Sequence, residues 1–262
     1  MFTPEDRARL RDALVAAARA DPRITAAALT GSAAAGAEDR WSDIDLALSV
    51  AADADPGRVV ADWTERMYRE GGAVHHLDVY RGDTLFRVFL LESTLQVDIA
   101  FWPAAEFGAY GPAFRLLFGA ANEPPVRPPP TAAALIGMGW LYALHVRSSI
   151  ERGRVWQAEY MLSAMRDQVL ALACLRHGLP AVEGRGIDRL PSEATAAAAA
   201  GLVRSLEAAE LRRAFGVVTE ALVAEIERAD TGLAERLAVP LRELTGEGPP
   251  HPTGPAETLR DR

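Results

Sequence analysis

The sequence contains no lysine; all 28 of its basic residues are arginine. A phosphate loop built on lysine, a Schiff-base lysine and a lysyl-nucleotide intermediate are therefore excluded. Any triphosphate has to be met by arginine and backbone amides. Cysteine is almost as scarce. The single Cys174 cannot form an internal disulfide, and its setting in Leu-Ala-Cys-Leu reads as a small core residue, not a nucleophile. No apolar run is long enough to span a bilayer. The opening Phe-Thr-Pro-Glu-Asp lacks the basic-then-apolar pattern of a secretion signal. The expectation is a cytoplasmic protein without a membrane segment.

What is present fits a folded chain. Of 262 residues, 49% are hydrophobic and 24% charged, enough for one large domain or two smaller ones. The net charge is −8 and unevenly spread: residues 1–130 hold 13 arginines against 19 acidic residues, and residues 131–262 hold 15 against 17. A negative surplus argues against a large nucleic-acid footprint. It is compatible with metal ions and with cationic small molecules, and by itself selects neither.

Along the chain, residues 4–20 read as a helix with Thr3 as N-cap and Pro4 in the first turn. A strand-length run, 24–30, ends at Gly31-Ser32, and residues 33–37 suit a short helix. Residues 42–50 alternate as a strand, with Ile44, Leu46 and Leu48 on one face and Asp43 and Asp45 on the other. A second helix is expected over 56–69. Three strand-like runs, 74–80, 85–91 and 95–102, are separated by turn-like tetrads and tripeptides and should pair as antiparallel hairpins. This order implies a mixed sheet with helices packed on it, an α/β or α+β domain over 1–121. Residues 121–130, with Asn-Glu-Pro-Pro and Pro-Pro-Pro, mark a boundary. Beyond it the pattern is all helical (131–152, 155–178, 191–206, 208–229 and 231–244), so a helical bundle is expected over 131–244. A loose Gly- and Pro-rich tail is expected over 245–262.

Chemistry concentrates around Thr30-Gly31-Ser32 and Asp43-Ile44-Asp45-Leu46. Gly31 allows the backbone to approach a phosphate closely, and Ser32 adds a hydroxyl and an amide. Asp43 and Asp45, two apart on a strand, are hard oxygen ligands suited to Mg²⁺. Taken singly, each feature is as well explained by a turn and a strand start. A third carboxylate would change that balance. Asp98, in Leu95-Gln-Val-Asp-Ile-Ala-Phe101, sits among apolar residues, where an ionised carboxylate is costly unless paired or metal-bound. Asp78, in His76-Leu-Asp-Val79, looks similar and competes for the role; Asp98 is preferred because its surroundings are more apolar. The histidines offer nothing comparable. His75 and His76 are adjacent on a strand, and His145, His177 and His251 lack zinc spacing. No Gly-x-Ser-x-Gly elbow is present.

The pattern of Gly-Ser, ten residues, Asp-apolar-Asp-apolar and a later strand Asp resembles the nucleotidyltransferase superfamily that includes DNA polymerase β. The order of domains resembles enzymes that adenylylate aminoglycosides or lincosamides; Thr30 is less apolar than the residue usual before the glycine. The resemblance implies that Asp43, Asp45 and Asp98 bind metal, and that Gly31, Ser32, Asp43 and Asp45 hold ATP or another nucleoside triphosphate with Mg²⁺. It further implies that a nucleoside monophosphate moves to a hydroxyl of a small molecule. Asp98 or a carboxylate of the helical half, Glu159, would take the proton. Around it, Trp156 and Tyr160 are either stacking residues or core aromatics, and Arg147, Arg152 and Arg166 are open candidates for the triphosphate. The alternative is an antitoxin-like nucleotidyltransferase that binds or adenylylates a protein. The roughly 110-residue helical half favours the small-molecule reading, because such antitoxins are commonly little more than the minimal domain.

Overall fold

The computed structural model describes residues 1–109, 113–123 and 128–246, and the chain divides into two compact units, Met1–Arg127 and Pro128–Arg262. The division falls within the proline-rich stretch 121–130. From residue 247 onward, the tail expected over 245–262 lies outside the described residues.

The first unit is built on α1 (Pro4–Ala20), β1 (Ile24–Thr30), α2 (Gly31–Ala35), β2 (Ile44–Val50), α3 (Pro56–Arg69), β3 (Ala73–Arg81), β4 (Thr84–Leu91), β5 (Gln96–Pro103) and β6 (Phe114–Phe118). Local chemistry explains both long helix starts. Thr3 and Asp6 form a reciprocal capping box on α1, and the Asp55 carboxylate accepts from the Gly57 and Arg58 amides ahead of α3, with Pro56 at its first position. The six strands form one sheet in the order β3-β4-β5-β2-β1-β6. β2 and β5 run parallel and the other neighbours antiparallel, so the sheet is mixed as expected.

Strand alternation gives this sheet two unlike faces. Ile44, Leu46, Leu48 and Val50 of β2 pack with Leu14 and Ala18 of α1 and with Val59, Trp63 and Met67 of α3. The opposite face is built of small residues and aromatics: Ala26, Ala28, Ala47 and Ala100 beside Trp102 and Phe107. Two readings need correcting. β2 begins at Ile44, leaving Asp43 in the preceding loop, and β6 was not foreseen. Its sequence, Phe-Arg-Leu-Leu-Phe, has no strict alternation, and it becomes a strand by pairing antiparallel with β1.

The second unit contains α4 (Ala132–Glu151), α5 (Val155–Arg176), a 3₁₀ turn at Ile187–Arg189, α6 (Ser192–Ala200), α7 (Ala208–Ala229) and α8 (Thr231–Leu244). Its main core joins α4, α5, α7 and α8 through residues such as Val146, Leu162, Met165, Phe215 and Leu222. α4 and α7 approach so closely that a Cβ on Gly139 would lie 2.9 Å from Leu222. α6 ends at Ala200, short of the expected residue 206, with Gly201 as its C-cap. Cys174 is buried, as its setting implied, and burial pushes its thiol pKa up. Among the described residues, no helix is long and apolar enough to cross a membrane.

Candidate active site

The site begins with the parallel pairing of β2 and β5. Parallel strands bring their N-terminal ends together, and the register places Asp45 directly beside Asp98. Residues paired in this way project to the same face, here the alanine- and aromatic-lined one. Asp43, just before β2, joins them at the same end. One carboxylate oxygen from each of Asp43, Asp45 and Asp98 lies within 4.8 Å of the other two. All three residues are half-buried.

Burial and a nearby like charge each disfavour the ionised form of a carboxylate. Asp98 shows the effect: burial pushes its pKa above the ordinary value, and the negative charge of Asp43 adds to the rise. Gln96 opposes this by donating from Nε2 to Asp98 Oδ1 at 3.0 Å. A divalent ion on these hard oxygens would relieve both the repulsion and the burial cost.

Gly31 sits against this cluster. Its backbone is left-handed at φ 59°, and a Cβ there would run into the Asp45 carboxylate. The glycine therefore answers to two demands, conformation and close approach. The next residue, Ser32, buries its Oγ without a hydrogen-bond partner, a polar atom left for a ligand to satisfy. The donor set, the cradle at Gly31 and the orphaned Ser32 hydroxyl together fit a divalent cation with a phosphate group.

Asp78, the competitor, is placed elsewhere and already answered. Its two oxygens accept from Arg87 Nε and Nη2, both at 2.6 Å, and Arg87 Nη1 donates to Thr64 at 2.6 Å. The guanidinium holds the Asp78 pKa below the usual carboxylate value. The third carboxylate is Asp98.

The sequence reading missed one group at the centre. A hollow of about 160 Å³ beside Asp45 and Asp98 is lined also by Thr30, Arg81, Phe86 and Trp102. The Arg81 guanidinium lies 5.5 Å from the Phe86 ring centre, so this chain brings a cation to the hollow beside Asp45 and Asp98. The alternation of Leu77, Val79 and Arg81 was a usable signal for the face, but not for which strand lies alongside. A larger hollow of about 730 Å³ lies between α3 and the β3–β4 turn, lined by residues such as Val60, Tyr80, Leu85 and Pro103. It touches none of the three aspartates, and its guanidinium, Arg87, is the one held by Asp78.

Glu159 lies on α5 in the second unit, and its Oε1 accepts from the Ser163 hydroxyl at 2.7 Å. Arg166 donates to the same Ser163 oxygen at 3.0 Å and buries its Nη1 without a partner. Trp156 and Tyr160 are 75% and 69% exposed, so neither is a core aromatic. Arg147 donates to the carbonyls of Glu243 and Leu244, closing the end of α8, while Arg152 is exposed beyond α4.

Fold and site thus define a mixed-sheet α/β unit with a three-carboxylate centre, followed in the chain by an all-helical unit. No family model matches the sequence, and no curated protein matches it. Among solved structures, an aminoglycoside 6-adenyltransferase from Bacillus subtilis aligns at 14% identity, covering 90% of this chain and 97% of that one, with a TM-score of 0.39. A likeness at that score adds no weight to a functional reading, which rests on the residues themselves.

Proposed function

We propose that this chain is a nucleotidyltransferase that moves a nucleoside monophosphate, AMP from ATP, to a hydroxyl of a small molecule and releases pyrophosphate. The observation that carries the reading is the meeting of Asp43, Asp45 and Asp98 within 4.8 Å, beside the backbone cradle at Gly31. In this reading the three aspartates hold Mg²⁺. The bound ion supplies positive charge against the triphosphate and lowers the pKa of the acceptor hydroxyl.

The chain's own groups do the rest. The Gly31 backbone and the Ser32 hydroxyl receive phosphate oxygens, and Arg81 supplies the positive charge that lysine provides in other sequences. In this reading Asp98, one of the three clustered carboxylates, takes the hydroxyl proton. The acceptor oxygen then bonds to the α-phosphorus as the bond to pyrophosphate breaks, with the two oxygens in line. An aminoglycoside- or lincosamide-like compound is the acceptor class the sequence resemblance suggests. The acidic balance of the chain suits a cationic acceptor better than an RNA end.

The test is pyrophosphate release from each nucleoside triphosphate with Mg²⁺ across a panel of hydroxylated antibiotics, run beside Asp43→Ala. Release with one nucleotide and one acceptor class, lost in the variant, is the expected result. Release that survives Asp43→Ala would remove the aspartates from the chemistry, and a stoichiometric protein acceptor would favour the antitoxin-like alternative.

A further inference from the structure

Asp45 and Asp98 are held by the ladder between β2 and β5, but Asp43 is not. The ladder begins at Ile44, and three mutually repelling carboxylates would drive an untethered Asp43 away. The loop before it, residues 36–42, must therefore be fixed by something other than strand pairing.

That loop is fixed from inside and from outside. Within it, Asp39 Oδ1 accepts from the Trp41 amide at 2.8 Å and from the Ser42 hydroxyl at 3.1 Å, and Ser42 Oγ accepts from the Asp39 amide at 2.9 Å. From outside comes Arg7 of α1, only 5% exposed. Its Nη1 donates to the carbonyl oxygens of Asp39 at 2.5 Å and Ser42 at 3.1 Å. Its Nε lies 3.2 Å from Glu38 Oε1, an ion pair without the alignment of a hydrogen bond. Arg11, one helical turn further on, donates to both Glu38 oxygens at 2.9 and 2.8 Å.

Burying a guanidinium is costly unless its donors are answered, and the answers found here lie in this loop. The carbonyl of Ser42 belongs to the same planar peptide as the Asp43 amide. Holding that oxygen sets the plane from which Asp43 departs. Arg11 reaches only Glu38 in the loop and does not touch its backbone.

We propose that Arg7 is a positioning residue for the carboxylate centre: by gripping the Asp39 and Ser42 carbonyls it keeps the Asp43 carboxylate beside Asp45 and Asp98. The inference rests on reading that centre as a metal site. Groups that orient metal ligands without touching the ion are worth about 10- to 100-fold in affinity. Arg7→Gln should weaken Mn²⁺ binding by about that factor, and Arg11→Gln by much less. In turnover, Arg7→Gln should raise the Mg²⁺ concentration needed for half-maximal rate more than it lowers the rate at saturating Mg²⁺.

The experiment is titration calorimetry of the full chain with Mn²⁺ alone, on wild type, Asp43→Ala, Arg7→Gln and Arg11→Gln, with thermal melts to confirm folding. Loss of binding in Asp43→Ala and weakening in Arg7→Gln support the proposal. Binding lost in Asp43→Ala but kept within about twofold in Arg7→Gln, against the 10- to 100-fold expected of an orienting group, overturns the role of Arg7 and leaves the metal site standing. No binding in wild type, or binding indifferent to Asp43→Ala, overturns the metal reading itself and the role of Arg7 with it. If Arg7→Gln does not fold, Arg7→Lys replaces it. That variant keeps the charge but loses the two-carbonyl fork, and it should weaken Mn²⁺ several-fold; unchanged affinity there also overturns the proposal.

Discussion

Asp78 and Asp98 look alike in sequence, each a lone carboxylate in a short apolar strand, yet the fold treats them in opposite ways. Asp78 faces Arg87 across the β3–β4 ladder and is held ionised by a two-pronged ion pair. Asp98 is paired on one side with Asp45 and on the other with Val88, and its charge is opposed by burial and by Asp43. What lies across the strand, more than what flanks the residue in sequence, decides whether a buried carboxylate is structural or is left to bind something else.

Substitution at the two positions should separate these fates most widely in activity. Asp45→Ala or Asp98→Ala should lower nucleotidyl transfer by about 10²–10³-fold or more, the scale of losing a charge-stabilising group at a reaction centre. Asp78→Ala should stay within about tenfold of wild type, since a single hydrogen-bonded pair remote from the reacting atoms is worth little to the rate. Pyrophosphate release at saturating Mg²⁺ measures both, and equal losses at Asp78 and Asp98 would erase the distinction.

Stability should show the reverse order. Arg87→Ala strands the half-buried Asp78 and removes the donor to the Thr64 hydroxyl, and should cost about 1–3 kcal/mol in urea denaturation. A midpoint unchanged from wild type would mean the pair is solvent-screened and contributes nothing.

The smallest effect, and the sharpest in sign, is on pH dependence without metal. The Asp78 pKa is lowered, so its stabilisation is present above the ordinary value near 3.8 and is lost as pH falls through the lowered value. The Asp98 pKa is raised, so its favourable contribution is present below 3.8 and is lost as pH rises through the raised value. With chelator at neutral pH, Asp78→Asn should therefore melt below wild type and Asp98→Asn above it. Mg²⁺ should raise the wild-type melting temperature and leave Asp98→Asn nearly unmoved. Two shifts of the same sign in chelator would show that the partner across the strand is not what distinguishes them.

Part of this contrast was legible in advance. The turn at Gly82-Asp83 joins two strand-like runs, and a two-residue hairpin loop pairs residue 81 with 84 and hence 78 with 87, as the structure has it. Arithmetic on the turn would have given Asp78 its arginine. No comparable arithmetic reaches Asp98. Its neighbour Asp45 is 53 residues away in a parallel pair, and parallel register is not set by a turn. The same limit hid β6, which exists through pairing with β1, and Arg81, whose place depends on strand order. Trp156 and Tyr160 were ambiguous because helical spacing shows that two residues share a face and not whether that face is covered.

By itself, the sequence determined the local features: the capped start of α1, the strand runs, the proline-rich break, a glycine where the backbone can be closely approached, and the absence of lysine from any site the chain builds. These depend on backbone sterics, alternation and composition, which act over a few residues. Tertiary structure alone decided that Asp43, Asp45 and Asp98 meet, that Asp78 does not join them, and that a buried arginine on α1 grips the loop that carries Asp43. Those outcomes depend on which strands and helices become neighbours, and that is settled by packing across the whole sheet.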